Sequence, residues 1–229
     1  MTRILVIAPH PDDEVLGVGG TMARLVREGH DVYAAIVTRG DPSMFDAASV
    51  EQTREEARAA HKRLGIHETI FLEGLPAALL DTVPHARLNE ALTELLNTVR
   101  PDYLFIPFAG DLHRDHRLVF ESALVAARPT GSSLVQAIYA YETLSETNWF
   151  APPLTPGFVP NSYVDISMVL DVKLDAMRAY QSQLKSFPHE RSLEAVEALA
   201  RCRGAAVGVP AAEAFVLVRR VVSVGGVGL

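Results

Sequence analysis

An α/β fold is predicted for this 229-residue chain, and three observations predict it. Short runs of apolar and β-branched residues alternate with longer stretches of helical spacing. The connections between them are punctuated by glycine and proline. Two of the apolar runs, the first and the fourth, end in clusters of histidine and aspartate, which is where open parallel sheets place their sites. The alternation implies parallel strands joined by right-handed crossovers. That is a Rossmann-like three-layer sandwich with a mostly parallel sheet and its site at the C-terminal strand ends.

Arg3 to Pro9 reads as a buried strand, and Val15 to Glu28 as a helix with Leu16, Met22, Leu25 and Val26 apolar, stopped at Gly29. Gly17, Gly19 and Gly20 lower helix propensity there and point to close packing or a ligand near the helix start. Asp31 to Thr38 is a second strand with a loop, Thr38-Arg39-Gly40-Asp41-Pro42, off its end. Ser49 to Leu64 is a helix whose charges mostly face water, with Gly65 as C-cap. Ile70 to Leu72 is a short strand. Leu88 to Val99 is a helix with one leucine-rich side, broken by Pro101, and Tyr103 to Pro107 is a fourth buried strand.

The loop Gly110 to His116 leads into a helix through Val119 and Ala123. Leu134 to Tyr141 is a strand ending at Glu142. Ala151 to Asn161, with Pro152, Pro153, Pro156 and Pro160, reads as a loop near the site, since a strand pattern resumes at Tyr163 to Ile166. Val169 to Leu184 and Leu193 to Ala200 are read as helices, Ala214 to Val222 as a closing strand, and the glycine-rich tail from Gly225 as frayed. There is no internal repeat. Residues 1–229 are expected to form a single domain, with a Rossmann-like part over about 1–130 and a C-terminal part completing a substrate pocket.

Hydrophobic residues make up 48% of the chain and charged residues 21%, enough to build a core and too balanced for disorder. The net charge of −7 and the lack of any Lys/Arg block argue against nucleic acid and anionic membrane surfaces as partners. Cys202 is the single cysteine, so an intramolecular disulfide and a thiolate zinc cluster are both ruled out. The N-terminus lacks a long apolar signal region, and no run of 18 apolar residues occurs. A soluble, cytoplasmic protein is expected.

The chemistry is concentrated at Ala8-Pro9-His10-Pro11-Asp12-Asp13-Glu14. A catalytic metal in a hydrolase takes three ligands from His and Asp/Glu and keeps one position open. His10, Asp13 and His116 can supply that set. The His-Pro-Asp-Asp spacing places His10 and Asp13 on one side of a turn stiffened by Pro11, leaving Asp12 free as a base. His113 and His116 lie three apart, so one can bind and the other work beside it. Each feature alone has a plain reading. A strand-end histidine is often a surface residue, and Asp13 with Glu14 is a common helix-start pair. The joint occurrence of complementary ligand types on two strand ends is what points to a metal.

With those residues in view, the sequence resembles the zinc-dependent de-N-acetylases called the PIG-L or LmbE-like family. His-Pro-Asp-Asp-Glu stands intact at residues 10–14, preceded by the small residue Ala8, and His-x-Asp-His stands at His113-Arg114-Asp115-His116. Arg54-Glu55-Glu56-Ala57 with Leu64-Gly65, Tyr141-Glu142-Thr143 with Trp149, Tyr180-Gln181-Ser182-Gln183, Arg203-Gly204 and Ala212-Glu213-Ala214-Phe215 resemble further parts of the family. The resemblance implies His10, Asp13 and His116 as metal ligands and Asp12 as general base. It implies His113 as a cation that stabilises the oxyanion or protonates the departing amine, and Asp115 as the carboxylate that orients an active-site histidine. It also implies a substrate role for Arg54, whose plain reading is an exposed helix arginine paired with glutamates.

Glu142 is a candidate to face the sugar or else to cap a strand, and Gln183 to line the pocket or pack a helix end. Tyr180 and Trp149 read as packing residues, and His30, His61, His67, His85 and His189 as solvated or structural. The activity implied is removal of acetyl from an N-acetylglucosamine-type conjugate, a small-molecule amino sugar. The cofactor implied is Zn²⁺, a mixed His/Asp set also accepting Fe²⁺, Co²⁺ or Mn²⁺. Whether the chain is a homo-oligomer is open. Two other classes compete: a nucleotide- or dinucleotide-binding α/β protein, and a non-catalytic metal binder. The first is weakened because the glycines do not follow Gly-x-Gly-x-x-Gly and the loop holds carboxylates where a pyrophosphate needs N–H groups. The second does not explain Asp12 and His113 beside the ligands.

Overall fold

Residues 4–7 set the pattern of the whole sheet. Side chains alternate across a strand, so Ile4 and Val6 face one side and Leu5 and Ile7 the other, and all four are buried. A strand apolar on both faces must be covered on both, and it is. The computed structural model of the chain describes residues 1–130, 134–149, 151 and 156–222.

The elements run β1 (Arg3–Ala8), α1 (Asp13–Arg27), β2 (Asp31–Ile36), α2 (Ala47–Leu64), β3 (Glu68–Phe71), α3 (His85–Val99), β4 (Tyr103–Pro107), α4 (Arg114–Ala126), β5 (Ala137–Tyr141), β6 (Ser162–Asp165), α5 (Leu170–Met177), α6 (Leu193–Ala205) and β7 (Ala212–Arg220). A single 3₁₀ turn, Leu80–Thr82, precedes α3. The strands form one seven-stranded sheet in the order β3-β2-β1-β4-β5-β7-β6. β3, β2, β1, β4 and β5 are mutually parallel, and β7 is antiparallel to both of its neighbours. The sandwich has three layers: α1, α2, α5 and α6 pack on one face of the sheet, α3 and α4 on the other. Among the described residues, no helix is long and apolar enough to cross a membrane.

Strand order reverses at β1. The chain steps from β1 outward to β2 and β3, then returns through α3 to lay β4 on the opposite side of β1. The carboxyl ends of β1 and β4 therefore lie side by side at the switch point, where parallel sheets open a crevice. This brings the two histidine-aspartate loops together.

Local chemistry explains most boundaries. Asp46 caps α2 by accepting from Ser49 N, which starts the helix two residues before Ser49, and Gly65 ends it with φ 77°. Two of the polar residues in α2 do not face water: Glu56 and His61 are buried. The glycines of α1 serve packing. A Cβ on Gly17 would lie 2.2 Å from the Tyr141 ring, and one on Gly20 2.7 Å from Ile166.

Two helices differ from the sequence reading. α5 ends at Met177 instead of continuing to Leu184. Beyond it the backbone tightens, with Ala179 N bonding to Ala176 O and Tyr180 N to Met177 O. Tertiary bonds shape that stretch: the Tyr180 hydroxyl donates to Glu14, and Ser182 donates through N and Oγ to Glu56. α6 runs on to Ala205, because Gly204 lets the following turn pack on its last residues. The stretch 156–161 has no regular structure before β6 begins, Pro152 and Pro153 lie outside the described residues, and so does the tail from Gly225.

Candidate metal centre and active site

The site starts from a strained backbone. Asp12 sits at the N-cap of α1 with φ 104° and ψ −27°, a conformation costly for any residue but glycine. Its carbonyl accepts the first helical bonds, from Val15 N at 3.1 Å and Leu16 N at 2.9 Å. An aspartate at this position normally accepts a helix N–H with its side chain, worth about 1 kcal/mol. Here there is no side-chain cap bond. The carboxylate turns instead into a cavity of about 370 Å³ that Asp12, His10 and His113 help to line. Glu14 holds the turn: it accepts Asp12 N at 3.2 Å, and its other oxygen meets the Tyr180 hydroxyl and, at 3.1 Å, His61 Nε2.

Beneath Asp12, three donor groups converge. Asp13 Oδ2 lies 3.3 Å from His10 Nδ1 and 3.2 Å from His116 Nε2. Asp13 and His116 are buried, and His10 opens partly to the cavity. Asp13 Oδ1 and His116 Nε2 are buried without a hydrogen-bond partner. Buried polar atoms are nearly always paired; with His116 Nδ1 donating to Asp111, its Nε2 offers a lone pair as the Asp13 oxygen does, and two buried acceptors without a donor mark a place for a cation. His10, Asp13 and His116 offer ligand atoms all within 4.8 Å of one another. The donor set, two imidazoles and a carboxylate, suits a divalent transition metal.

The back of each imidazole is held by its own carboxylate. His10 Nε2 is 3.0 Å from Asp115 Oδ2, which also accepts Ala78 N at 2.8 Å. His116 Nδ1 is 2.8 Å from Asp111 Oδ2, whose partner oxygen accepts the Thr147 hydroxyl at 2.6 Å. These bonds turn His10 Nδ1 and His116 Nε2 toward Asp13.

Electrostatics follow from that packing. Burial opposes protonation of His10, but the bonds to Asp115 and Asp13 outweigh it and push its pKa up to about 9. His116 is likewise raised well above the usual imidazole value, burial being outweighed by Asp13 and Asp111. Asp13 is held well below the usual carboxylate range by His116 and His10, against the pull of burial. Positive charge is thus wanted at this spot, and a bound cation would displace those protons. Burial pushes Asp12 up to about 8, with Arg191 opposing and Asp13 and Glu14 adding.

His113 is the N-cap of α4. Its Nδ1 accepts Asp115 N at 3.2 Å and its backbone N donates to Glu146 Oε2 at 3.1 Å. Accepting through Nδ1 leaves Nε2 as the protonated nitrogen of the neutral ring. Burial and the charge on His10 lower its pKa. In the metal-free protein these surroundings favour a neutral hydrogen-bond donor at His113, where the sequence reading expects a cation.

Of the candidate substrate residues, Arg54 and Gln183 line the cavity and Glu142 does not. Arg54 is mostly buried, stacks 4.4 Å over Phe71 and bonds Glu73 at 2.7 Å, a residue beyond β3 and not a glutamate of its own helix. Gln183 accepts Arg191 Nη1 at 3.3 Å. Glu142 is placed elsewhere than at the sugar site the sequence offered: both of its oxygens are taken by Arg203 of α6, at 2.8 and 2.6 Å. Trp149 is not packed; it is 51% exposed, edge-on to His189.

Sequence reasoning missed Asp111, Glu146 and Arg191. Asp111 was visible inside the second loop, but nothing in the spacing said which carboxylate stands behind which histidine. Arg191 lies far along the chain with no motif around it, yet its Nη1 reaches Asp12 Oδ2 at 3.3 Å and its Nη2 reaches Glu146 at 3.6 Å. Arg191 Nε donates to Ser145 Oγ at 2.9 Å, which fixes the guanidinium at the cavity wall.

Comparison with known proteins agrees with this geometry. The PIG-L family pattern, described as GlcNAc-PI de-N-acetylase, matches residues 5–127, the span that carries both loops. A diacetylchitobiose deacetylase of Thermococcus kodakarensis is 28% identical over 206 residues, covering 82% of this chain and 71% of the relative. A 1D-myo-inositol 2-acetamido-2-deoxy-alpha-D-glucopyranoside deacetylase of Mycobacteroides abscessus is 29% identical over 227 residues, covering 80% and 81%. The crystal structure of a conserved protein from Thermus thermophilus superposes with a TM-score of 0.78 at 31% identity, covering 100% of both chains. With more than half of its length matched by the family pattern, and both loops inside the match, the chain belongs to the PIG-L family of de-N-acetylases.

Proposed function

We propose that this protein is a metal-dependent de-N-acetylase that hydrolyses the acetamide of an N-acetylated amino sugar, with zinc held by His10, Asp13 and His116. Residues 1–130 carry the metal and the base, and the remainder of a single catalytic domain supplies Glu146, Gln183 and Arg191 to the pocket wall. The observation that carries the reading is the conjunction of Asp13 Oδ1 and His116 Nε2, both buried without a hydrogen-bond partner, with an Asp12 carboxylate that forgoes its cap bond. The relatives named above act on acetamido sugars, which supports the substrate class. The exposed, unpaired Cys202 is in keeping with a reducing cytoplasm.

When bound, the cation supplies Lewis acidity, polarising the amide oxygen and lowering the pKa of the attacking water. Asp12 takes the proton of that water as it adds to the carbonyl carbon. Its elevated pKa suits a base that must later act as acid. His113, donating through Nε2, faces the developing negative charge on the amide oxygen. Asp12 then gives its proton to the nitrogen as the C–N bond breaks, leaving acetate and the free amine. Arg191 holds Asp12 in place from the cavity wall.

The test is acetate release from methyl N-acetylglucosaminide by the zinc-loaded protein, with amine formation followed in parallel. Stoichiometric acetate and amine are expected. No turnover across a panel of acetamido sugars, in protein shown to contain metal, overturns the assignment.

A further inference from the structure

The amino ends of the strands carry a cavity of their own. It measures about 550 Å³, inside the ~300–1,000 Å³ that accommodates ordinary ligands. Thr2, just before β1, and Tyr103, the first residue of β4, line it, so it lies at the opposite end of those strands from the two metal loops. It shares no lining residue with the cavity above Asp12. Its floor is an aromatic stretch of the sheet. Phe105 of β4 meets Tyr139 of β5 and Phe215 of β7 ring to ring, with centroids 5.1 and 5.0 Å apart. α1 contributes Thr21, Arg24 and Glu28 to the lining, and β6 contributes Val164.

The polar groups around that floor divide into engaged and free. Arg24 is engaged: its Nε meets Glu28 Oε1 at 2.7 Å and its Nη1 donates to Asp165 O at 2.9 Å. Arg220, the exposed last residue of β7, is free; among the described residues its guanidinium has no hydrogen bond or ion pair. The hydroxyls of Tyr103 and Tyr139 have no hydrogen bond among those residues either. These three groups share one neighbourhood, since burial raises the pKa of the Tyr139 phenol with Arg220 opposing and Tyr103 adding. The phenol therefore keeps its proton and can donate it. Two further lining residues each hold a buried atom without a partner, Thr21 Oγ1 and His30 Nδ1, a rare condition for buried polar atoms.

An exposed arginine by itself is ordinary. Here an unpaired guanidinium and two unbonded phenols border one aromatic floor, and that combination recognises a flat ring bearing an oxyanion. The ring packs on the aromatic side chains, and the guanidinium and hydroxyls donate to the oxygens. One free positive charge matches a carboxylate better than a phosphate ester, which carries about two negative charges at neutral pH. We propose that this groove is a second ligand site, separate from the metal centre, that binds a small aromatic carboxylate, with the ring against Phe105, Tyr139 and Phe215 and the carboxylate on Arg220 and the Tyr103 and Tyr139 hydroxyls.

Calorimetric titration of the full zinc-loaded chain tests this with three probes: 2-naphthoate, naphthalene-2-methanol and inorganic phosphate. 2-Naphthoate should bind saturably at a single site, at least about tenfold more tightly than either of the others, the margin a hydrogen bond to a charged group supplies. Arg220→Gln should weaken it by about the same factor and Tyr139→Phe by less, while zinc-stripped protein binds it as the loaded protein does. Both variants should keep the wild-type Tm, because Arg220 is exposed and phenylalanine retains the ring of Tyr139. No saturable binding, equal binding of the alcohol, tighter binding of phosphate, an affinity unchanged in both variants, or binding that requires zinc overturns the site. Self-association in sedimentation that Arg220→Gln abolishes also overturns it, making the groove an interface between copies of the chain. No turnover enters these measurements, so their outcome is independent of the de-N-acetylase reading.

Discussion

Helix α1 carries two buried charge clusters, one in its first turn and one midway along it, and they are built by opposite rules. Midway, Lys173 of α5 and Glu213 of β7 form a buried ion pair laid across one helical turn. Lys173 Nζ donates to Leu16 O at 2.8 Å, and Glu213 accepts Gly20 N at 2.8 Å and Thr21 N at 2.7 Å. Every one of those atoms has a partner. In the first turn, Asp13 Oδ1 and His116 Nε2 have no hydrogen bond, and Asp12 Oδ2 has none beyond its ion pair with Arg191 at 3.3 Å. A buried charge is tolerable when paired and bonded, and costly when not. The complete cluster ties three elements together; the incomplete one is finished by something the chain does not itself contain.

Removing that missing component is the largest break available. Chelation should drop acetate release to background while the far-ultraviolet dichroism stays native, because the Lys173–Glu213 cluster is complete without metal. Restoring zinc should restore turnover and raise Tm, as any ligand bound only by the folded state does. A chelated protein that kept full activity would mean that the orphaned atoms signify nothing.

Next in size is Asp12→Asn. The amide keeps the shape but cannot take a proton, and general-base loss is worth roughly 10²–10⁴ in rate. The fall should appear in kcat, with metal content by elemental analysis unchanged. A variant that lost metal instead would move Asp12 from base to ligand.

The complementary break is Lys173→Met. It leaves Glu213 buried without its counter-ion, and removing one partner of such a pair costs about 3–5 kcal/mol. Urea unfolding should show that loss, whereas kcat per folded molecule and zinc content should hold. If kcat fell with stability unchanged, the two clusters would be one coupled system and the contrast between them would fail.

The contrast also explains what can be read in advance. Strand ends and the grouping of the candidate ligands with Asp12 are legible because they are local: His10, Asp12 and Asp13 share one turn, and periodicity sets Ile4 to Ile7 on two faces. Partners distant in sequence are not. Glu142 reads in the sequence as a sugar contact or a strand cap, and its carboxylate is held by Arg203, 61 residues on. Arg191 meets Asp12 from a stretch after α5 that is tied down by tertiary bonds, Ser182 to Glu56 and Arg191 to Ser145, which no propensity encodes. The end of α5 is hidden from periodicity for the same reason. His61 and Glu14 each look ordinary alone, and become a buried pair that braces the strained turn only when α2 lies against α1.

The smallest expected effect sharpens the comparison most, because it tests how far the incomplete cluster extends. Asp111 is fully buried, and its two oxygens hold His116 Nδ1 and the Thr147 hydroxyl. If it belongs to the metal centre as the carboxylate that aims His116, Asp111→Asn keeps a hydrogen bond to the ring but loses the charge, and metal affinity should fall about 10–100-fold. Zinc titration against a competing chelator reads this directly. Stability of the metal-free protein should change little, since an asparagine still fills the space. If Asp111 instead served the fold as Glu213 does, the same substitution would lower metal-free stability and leave zinc affinity where it was. The direction of that one pair of measurements decides on which side of the divide between complete and incomplete clusters Asp111 stands.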